Sequence, residues 1–334
     1  MIPKLSLRAF RGLRSVDLSG LSRLNLIIGG NNVGKTSILE ALVLLYGNYA
    51  DLKRLPELFR WGCGNGESER DFWSLLARDR SFDGFVLESD DAKVIAEPDP
   101  SASKGWCLVR TSKQAEGSSA SILQLDAEGC GELCEPLNKS AHTLSIITAD
   151  CPIAAVTTRR YQQLLEKHPR RAEELHAILR EALEPRARGL RLLPVAEDAA
   201  ARVLAIEMDG GRALPLSQMG QGFARCFYLL CEILMGESRI VLIDELESGL
   251  YYRSLEPLWR GVLPLLEQLD VQVFATTHSL ECMQAAARAE SSCSKEAVAF
   301  IRLDRHIRDP ERINAVVFPA STLQSAMDFG EEMR

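Results

Sequence analysis

Gly29-Gly30-Asn31-Asn32-Val33-Gly34-Lys35-Thr36 decides how this chain is read. The stretch fits the phosphate-binding pattern GxxxxGK[ST] at every fixed position. An apolar run, residues 24–28, leads into it, and a helix-forming run, residues 37–46, leads out. That is the strand–loop–helix context the pattern requires. Glycines let backbone N–H groups turn inward on phosphates. Lys35 can reach the β- and γ-phosphates, and the Thr36 hydroxyl can take Mg²⁺. The helix starting near Gly34 adds its positive N-terminal end. Gly29, Asn31, Asn32, Val33, Gly34, Lys35, Thr36 and Ser37 are therefore the expected nucleotide-binding residues, with Lys35 also serving catalysis and Thr36 the metal.

Composition narrows the class. The chain has 334 residues, 46% apolar and 25% charged, as an ordinary globular protein does. No apolar run approaches the ~18 residues needed to cross a membrane. The N-terminus enters a strand pattern at once, so no signal peptide is expected. A net charge of −7 argues against a strongly basic nucleic-acid clamp while leaving a local basic face open. Nine cysteines lack a regular framework. Cys130 and Cys134 are close, but no second pair stands at zinc-ligand spacing. Reduced thiols in a cytoplasmic protein are expected.

Outward from the loop, residues 4–10 alternate polar and apolar, as a half-buried strand does. Residues 51–62 and 70–78 read as short helices, with Trp61 and Trp73 as core anchors. Residues 80–150 hold short alternating runs separated by turn formers, which predicts a β-rich lobe inserted after the loop's helix. Residues 155–189 form a charged helical arm that Pro169 should break in two. Its arginines, Arg159, Arg160, Arg170, Arg171, Arg180, Arg186 and Arg188, with Arg191 just beyond, make it the most basic region. Interleaved glutamates favour a solvated face over a nucleic-acid surface. From residue 190 onward, buried strands alternate with helices, so the fold class is α/β: a mixed or parallel sheet flanked by helices. The expected organisation is one ATPase domain over 1–334, with residues 1–50 and 190–334 as its nucleotide-binding core.

Three further motifs bear on chemistry. An apolar strand, residues 239–243, ends in Asp244-Glu245; Asp244 suits the Mg²⁺ shell and Glu245 suits a general base for the attacking water. Ser217-Gln218-Met219-Gly220-Gln221-Gly222 precedes an apolar helix, and Ser217, Gly220 and Gly222 make a second anion site. In a head-to-tail dimer it can cap the γ-phosphate held by the other copy. His278 closes another buried strand within Thr276-Thr277-His278-Ser279, where it can donate to the γ-phosphate and sense its loss. His142, His168, His176 and His306 read as ordinary core or surface residues.

Loop, Ser-x-x-Gly-x-Gly, strand-Asp-Glu and strand-His, in that order, resemble the ATP-binding-cassette ATPases. The opening residues 5–12, the stretch 29–37, Ile243-Asp244-Glu245-Leu246-Glu247-Ser248-Gly249-Leu250 and residues 274–282 resemble the soluble branch that includes the overcoming-lysogenization-defect (OLD) proteins and related AAA-type ATPases of phage defence. The likeness covers residues 1–50 and about 190–290. Many relatives carry His after the Gly-Leu pair, where this chain has Tyr251. The resemblance implies ATP and Mg²⁺ as cofactors, with ATP sandwiched in a homodimer or higher homo-oligomer. Relatives with a C-terminal Toprim nuclease domain need more chain than follows His278, and Asp304, Asp309 and Glu311 make no metal-nuclease cluster. The resemblance therefore implies an ATPase without nuclease activity of its own, controlling a separate nuclease or toxin. Two other readings stand beside it: a RecF- or SMC-like ATPase that binds DNA, and an ATP-held scaffold with negligible turnover.

Overall fold

The computed structural model describes residues 1–58, 76, 84–98, 106–114, 117–125, 131–133, 143–148, 153–195, 198–290 and 296–328. Trp61, Trp73, Cys130, Cys134, His142 and the helix expected over 70–78 lie outside these residues. The chain divides into two compact units: Met1–Ile146 with Ala299–Phe318, and Ile147–Val298 with Pro319–Arg334.

In the first unit, β1 (Lys4–Phe10) and β2 (Leu13–Ser19) pair antiparallel with Leu5 opposite Leu18 and Leu7 opposite Val16. Their apolar residues alternate inward, so a one-residue slip would expose the whole set. Ala9, between the paired Arg8 and Phe10, takes φ 53°, which turns the strand end without shifting the register. β4 (Phe85–Ser89), β5 (Ala92–Pro98), β6 (Trp106–Gln114), β7 (Gly117–Leu125) and β8 (Gly131–Leu133) continue this hairpin into one antiparallel sheet, ordered β2-β1-β4-β5-β6-β7-β8. The expected β-rich stretch thus grows from the edge of the N-terminal hairpin.

The loop's strand, β3 (Leu24–Gly29), is buried along nearly its whole length, as a strand covered on both faces is. Asn25, its one polar member, is satisfied locally: it accepts from the Ser22 N–H at 2.8 Å and donates to the Ser22 carbonyl at 2.7 Å. α1 (Lys35–Tyr46) follows, buried on all sides, with α2 (Tyr49–Leu58) after it. Two long-range arginines secure α1. Arg11 donates to the buried Glu40 at 3.0 Å. Buried Arg110, from β6, donates to the Leu44, Leu45 and Gly47 carbonyls at 3.5, 3.4 and 2.6 Å. A cation at the carbonyl end of a helix is favourably placed; burial holds this guanidinium down to about 10.

The second unit begins at the end of β9 (Leu144–Ile147). α3 (Ile153–Lys167) and α4 (Pro169–Ile178) are separated at Pro169, which sits in the first turn of α4, where its missing N–H costs nothing. A π-helical turn, Leu179–Leu183, then leads to the antiparallel sheet β10 (Ala187–Val195), β11 (Asp198–Met208) and β12 (Ala213–Pro215). α5 (Gln221–Met235) leads to β13 (Ile240–Ile243), and α6 (Tyr252–Gln268) crosses to the parallel strand β14 (Gln272–Thr276). α7 (Leu280–Glu290) and α8 (Ala320–Asp328) complete the unit. α6 holds Pro257 and Pro264 inside it, at roughly 3 kcal/mol each. Its buried face, Leu255, Leu258, Trp259, Val262, Leu263 and Leu266, outweighs that, at ~1.5–3 kcal/mol per side chain.

Most of the arginines of the basic stretch are engaged inside this unit. Arg160 meets buried Glu232 at 2.6 Å and Glu237 at 3.0 Å. Arg171 donates to the Leu234 and Met235 carbonyls at the end of α5. Arg186, Arg188 and Arg191 pair with Glu184, Asp209 and Glu207.

Candidate nucleotide site

The phosphate loop is held by its own backbone. Gly29 has φ 134°, Asn32 φ 57° and Gly34 φ 93°, so the chain passes through the left-handed region three times in six residues. Gly34 caps α1 from that conformation, and a Cβ there would press on Leu13 Cδ2 at 2.7 Å. Lys35 is 7% exposed and its Nζ donates to the Gly29 and Gly30 carbonyls at 2.9 and 2.7 Å. The ammonium therefore lies back across the mouth of its own loop. No acidic side chain occupies the first turn of α1. Asn31 and Asn32 are exposed, and Val33 is buried beneath them. This donor set fits a polyphosphate: the N-terminal amides of a buried helix, one ammonium and the hydroxyls of Thr36 and Ser37. Thr36 would offer its oxygen to the Mg²⁺ that accompanies such a nucleotide.

The neighbouring strand β15 (Val298–His306) forms a hairpin with β16 (Asp309–Pro319). A Cβ at Gly29 would run into the Leu303 carbonyl, which is why only glycine fits the end of β3. Arg305 donates to the Asn32 carbonyl at 2.8 Å and to the Pro310 carbonyl at 3.0 Å.

In the second unit, Asp244 and Glu245 sit where β13 ends. Asp244 is buried, and its N–H donates to the Ile147 carbonyl at 3.1 Å. Glu245 is half-buried and takes φ 53°, a conformation a non-glycine residue holds only when its surroundings enforce it. The Thr276 hydroxyl donates to Asp244 Oδ1 at 2.6 Å, and Thr276 Oγ1 accepts the Glu245 N–H at 2.8 Å. The Thr276 carbonyl accepts the Leu246 N–H at 2.9 Å. From α5, buried Arg225 donates to the Glu245 carbonyl at 2.9 Å and to the Asp244 carbonyl. Burial lowers the affinity of this guanidinium for its proton. Thr276 thus orients the Asp244 carboxylate, and residues from β14 and α5 fix the backbone of both acids.

His278 is exposed, and its backbone N–H donates to Glu247 Oε1 at 2.7 Å. Glu247 so ties the segment after β13 to the segment after β14. Ser279 Oγ then caps α7 by accepting the Cys282 N–H at 3.1 Å. Ser217 and Gly220 are exposed at the entry to α5, whereas Gly222 is buried. A Cβ on Gly222 would overlap the Gly249 carbonyl, so the start of α5 lies backbone to backbone on the loop after β13. Tyr251 and Tyr252, just beyond, are exposed and meet edge to face with ring centroids 4.9 Å apart.

The first unit therefore brings together residues 29–37, and the second brings together Asp244, Glu245, Gly222 and the backbone of His278. Sequence reasoning missed Thr276, Arg225, Glu247 and Arg305. The sequence signal for Thr276 is a hydroxyl at the end of a buried strand, two residues before His278. Arg225, buried within an apolar helix, was a charge requiring a partner.

Residues 1–103 match the family model described as "AAA ATPase domain". Residues 153–283 match the model described as "AAA domain, putative AbiEii toxin, Type IV TA system". An "ATP/GTP phosphatase" of Helicobacter pylori is 18% identical over 85% of this chain and 87% of its own length. An uncharacterized protein of Methanocaldococcus jannaschii is 39% identical over 71 residues, 20% of this chain and 32% of that protein. The fold is similar to that of an SMC head solved bound to the C-winged-helix domain of ScpA, with TM-score 0.51 and 13% identity over 97% of this chain and 99% of that one. Two separate stretches of the chain are thus similar to AAA-type ATPase domains, and the fold is an SMC-head-like P-loop fold.

Proposed function

We propose that this chain binds ATP with Mg²⁺ and hydrolyses it, and that two copies close around the nucleotide. The observation that carries hydrolysis is the end of β13: a buried Asp244 held by Thr276 beside a Glu245 held at φ 53°. Residues 29–37 take the phosphates. Asp244, with Thr36, suits the metal shell, and Glu245 suits the base that receives a proton from the attacking water. His278, exposed beside Glu247, suits a sensor of the γ-phosphate. Ser217, Gly220 and Gly222 suit a cap supplied to the other copy, because Ser217 and Gly220 are exposed at the start of a long helix.

The output of this switch is a separately encoded effector, a nuclease or toxin, in defence against phage. The toxin–antitoxin description of the family model matched by residues 153–283 supports that reading, beside the OLD-like motifs. The fold likeness to an SMC head supports the alternative, a DNA-binding ATPase of repair or recombination. Against it, Arg160, Arg171, Arg186, Arg188 and Arg191 are engaged in bonds within the chain.

The deciding experiment is purification with the products of neighbouring genes, with and without ATP, alongside Glu245→Gln. The proposal expects ATP-dependent dimerisation that Glu245→Gln prolongs, and co-elution of a nuclease or toxin. Salt-sensitive DNA binding without such a partner would transfer the function to the alternative.

A further inference from the structure

We infer that Arg305 is a positioning residue for nucleotide binding, acting through the Asn32 carbonyl; the inference rests on the ATP reading of residues 29–37. Asn32 is the loop's only non-glycine residue in the left-handed region, with φ 57°. A side chain in that region costs free energy that neighbouring structure has to offset. Lys35 ties the Gly29 and Gly30 carbonyls, upstream of the strained turn. The Asn32 carbonyl is taken instead by Arg305, which lies far along the chain on β15.

The guanidinium is well suited to this. It is planar and rigid, and its second nitrogen donates to the Pro310 carbonyl on β16 at 3.0 Å. One end of the fork is therefore anchored in the hairpin and the other in the loop. The same strand meets the loop a second time, where the Leu303 carbonyl lies against Gly29. β15 thus fixes the loop at its first residue and again at its left-handed turn, and the amides from Gly34 onward inherit that placement. Arg305 contributes before any nucleotide arrives, by keeping the loop in the shape that receives phosphates.

Three measurements test this. Amide exchange is followed over residues 29–37 in nucleotide-free protein. Arg305→Ala is expected to speed exchange there severalfold, and Arg305→Lys, which can reach one carbonyl, to speed it less. In steady-state kinetics, Arg305→Ala is expected to raise KM for ATP about fivefold while kcat stays within about twofold, the size and split of one lost exposed hydrogen bond of ordinary net strength used for binding. Asn32→Gly removes the strain that Arg305 holds, so in that background Arg305→Ala should raise KM by less than about twofold. Unchanged loop exchange in Arg305→Ala overturns the inference. So does a loss confined to kcat, or an equal rise in KM in both backgrounds. If the wild-type chain bound no ATP yet Arg305→Ala still loosened the loop, the ATP reading would fail and the positioning role would stand.

Discussion

The phosphate loop and the carboxylate end of β13 both place charge-handling groups against a buried strand, and they are built in opposite ways. The loop is made almost entirely of consecutive residues. Its glycines supply the turns, its lysine folds back on its own carbonyls, and its helix begins at once. The end of β13 is made from distant parts of the chain. Asp244 and Glu245 depend on Thr276 from β14 and on Arg225 from α5, and Gly222 must be glycine because Gly249 lies against it. The difference teaches that a site assembled mostly from neighbours has few distant supports to lose, Arg305 being the one that holds its left-handed turn, whereas a site assembled from afar registers movement in every element that supports it.

That contrast predicts a separation of binding from turnover. Glu245→Gln is expected to lower kcat by about 10³, within the range of a lost general base, while leaving ATP affinity within about threefold. Single-turnover hydrolysis and equilibrium titration check the two halves separately. A variant that lost affinity instead would show that the end of β13 serves binding, and the contrast would break. Lys35→Ala should do the reverse: affinity for ATP falls by about 100-fold or more, while the far-ultraviolet dichroism stays that of the wild type. A titration that found wild-type affinity would remove the loop from the site altogether.

Much of the loop was legible because its signals are local. The apolar run of β3, the glycines and the helix-forming stretch lie within two dozen residues, and periodicity reports such neighbours directly. Asn25, the polar member of that run, closes a turn with Ser22, a local bond that periodicity does not report. The Asp244-Glu245 pair was legible as residues but not as an arrangement, because Thr276 lies 32 positions away and Arg225 another 19 in the opposite direction. The π-helical turn over Leu179–Leu183 could not be read, since Leu-Arg-Glu-Ala-Leu is an ordinary helix-forming sequence. The strands over 85–125 were legible as strands, but their continuation from the β1–β2 hairpin was not. That continuation is set by pairings such as Leu7 with Leu87, far apart in sequence.

The loop's helix also leans on a distant residue at its far end, Arg110, and this sharpens the comparison. Arg110→Met keeps the length of the buried side chain but leaves the Leu44, Leu45 and Gly47 carbonyls without their cation. The expected cost is about 2 kcal/mol of stability, read as a lower denaturation midpoint, because hydrogen bonds from a buried charge to a helix end are worth about that much. Affinity for ATP should change little, since the support is at the far end of α1. A large loss of affinity with unchanged stability would mean that the helix end and the loop are coupled, and that the loop is less local than it looks.

The smallest effect is the most discriminating. The Thr276 hydroxyl does two things at once: it donates to Asp244 Oδ1 at 2.6 Å and accepts the Glu245 N–H at 2.8 Å. Thr276→Val keeps the shape and removes both. Asp244 then loses the donor that orients its carboxylate, and Glu245 loses the acceptor for its own N–H at the residue that holds φ 53°. Each bond is worth about 1 kcal/mol net, so turnover should fall roughly tenfold, within the ceiling of about thirtyfold that the two bonds set together. The Mg²⁺ concentration needed for half-maximal rate should rise as well, because Asp244 is the metal residue of the pair. Thr276→Ser, which keeps the hydroxyl, should recover most of both. If valine lowered the rate without moving the Mg²⁺ dependence, Thr276 would act through Glu245 alone, and the metal assignment of Asp244 would lose its structural support.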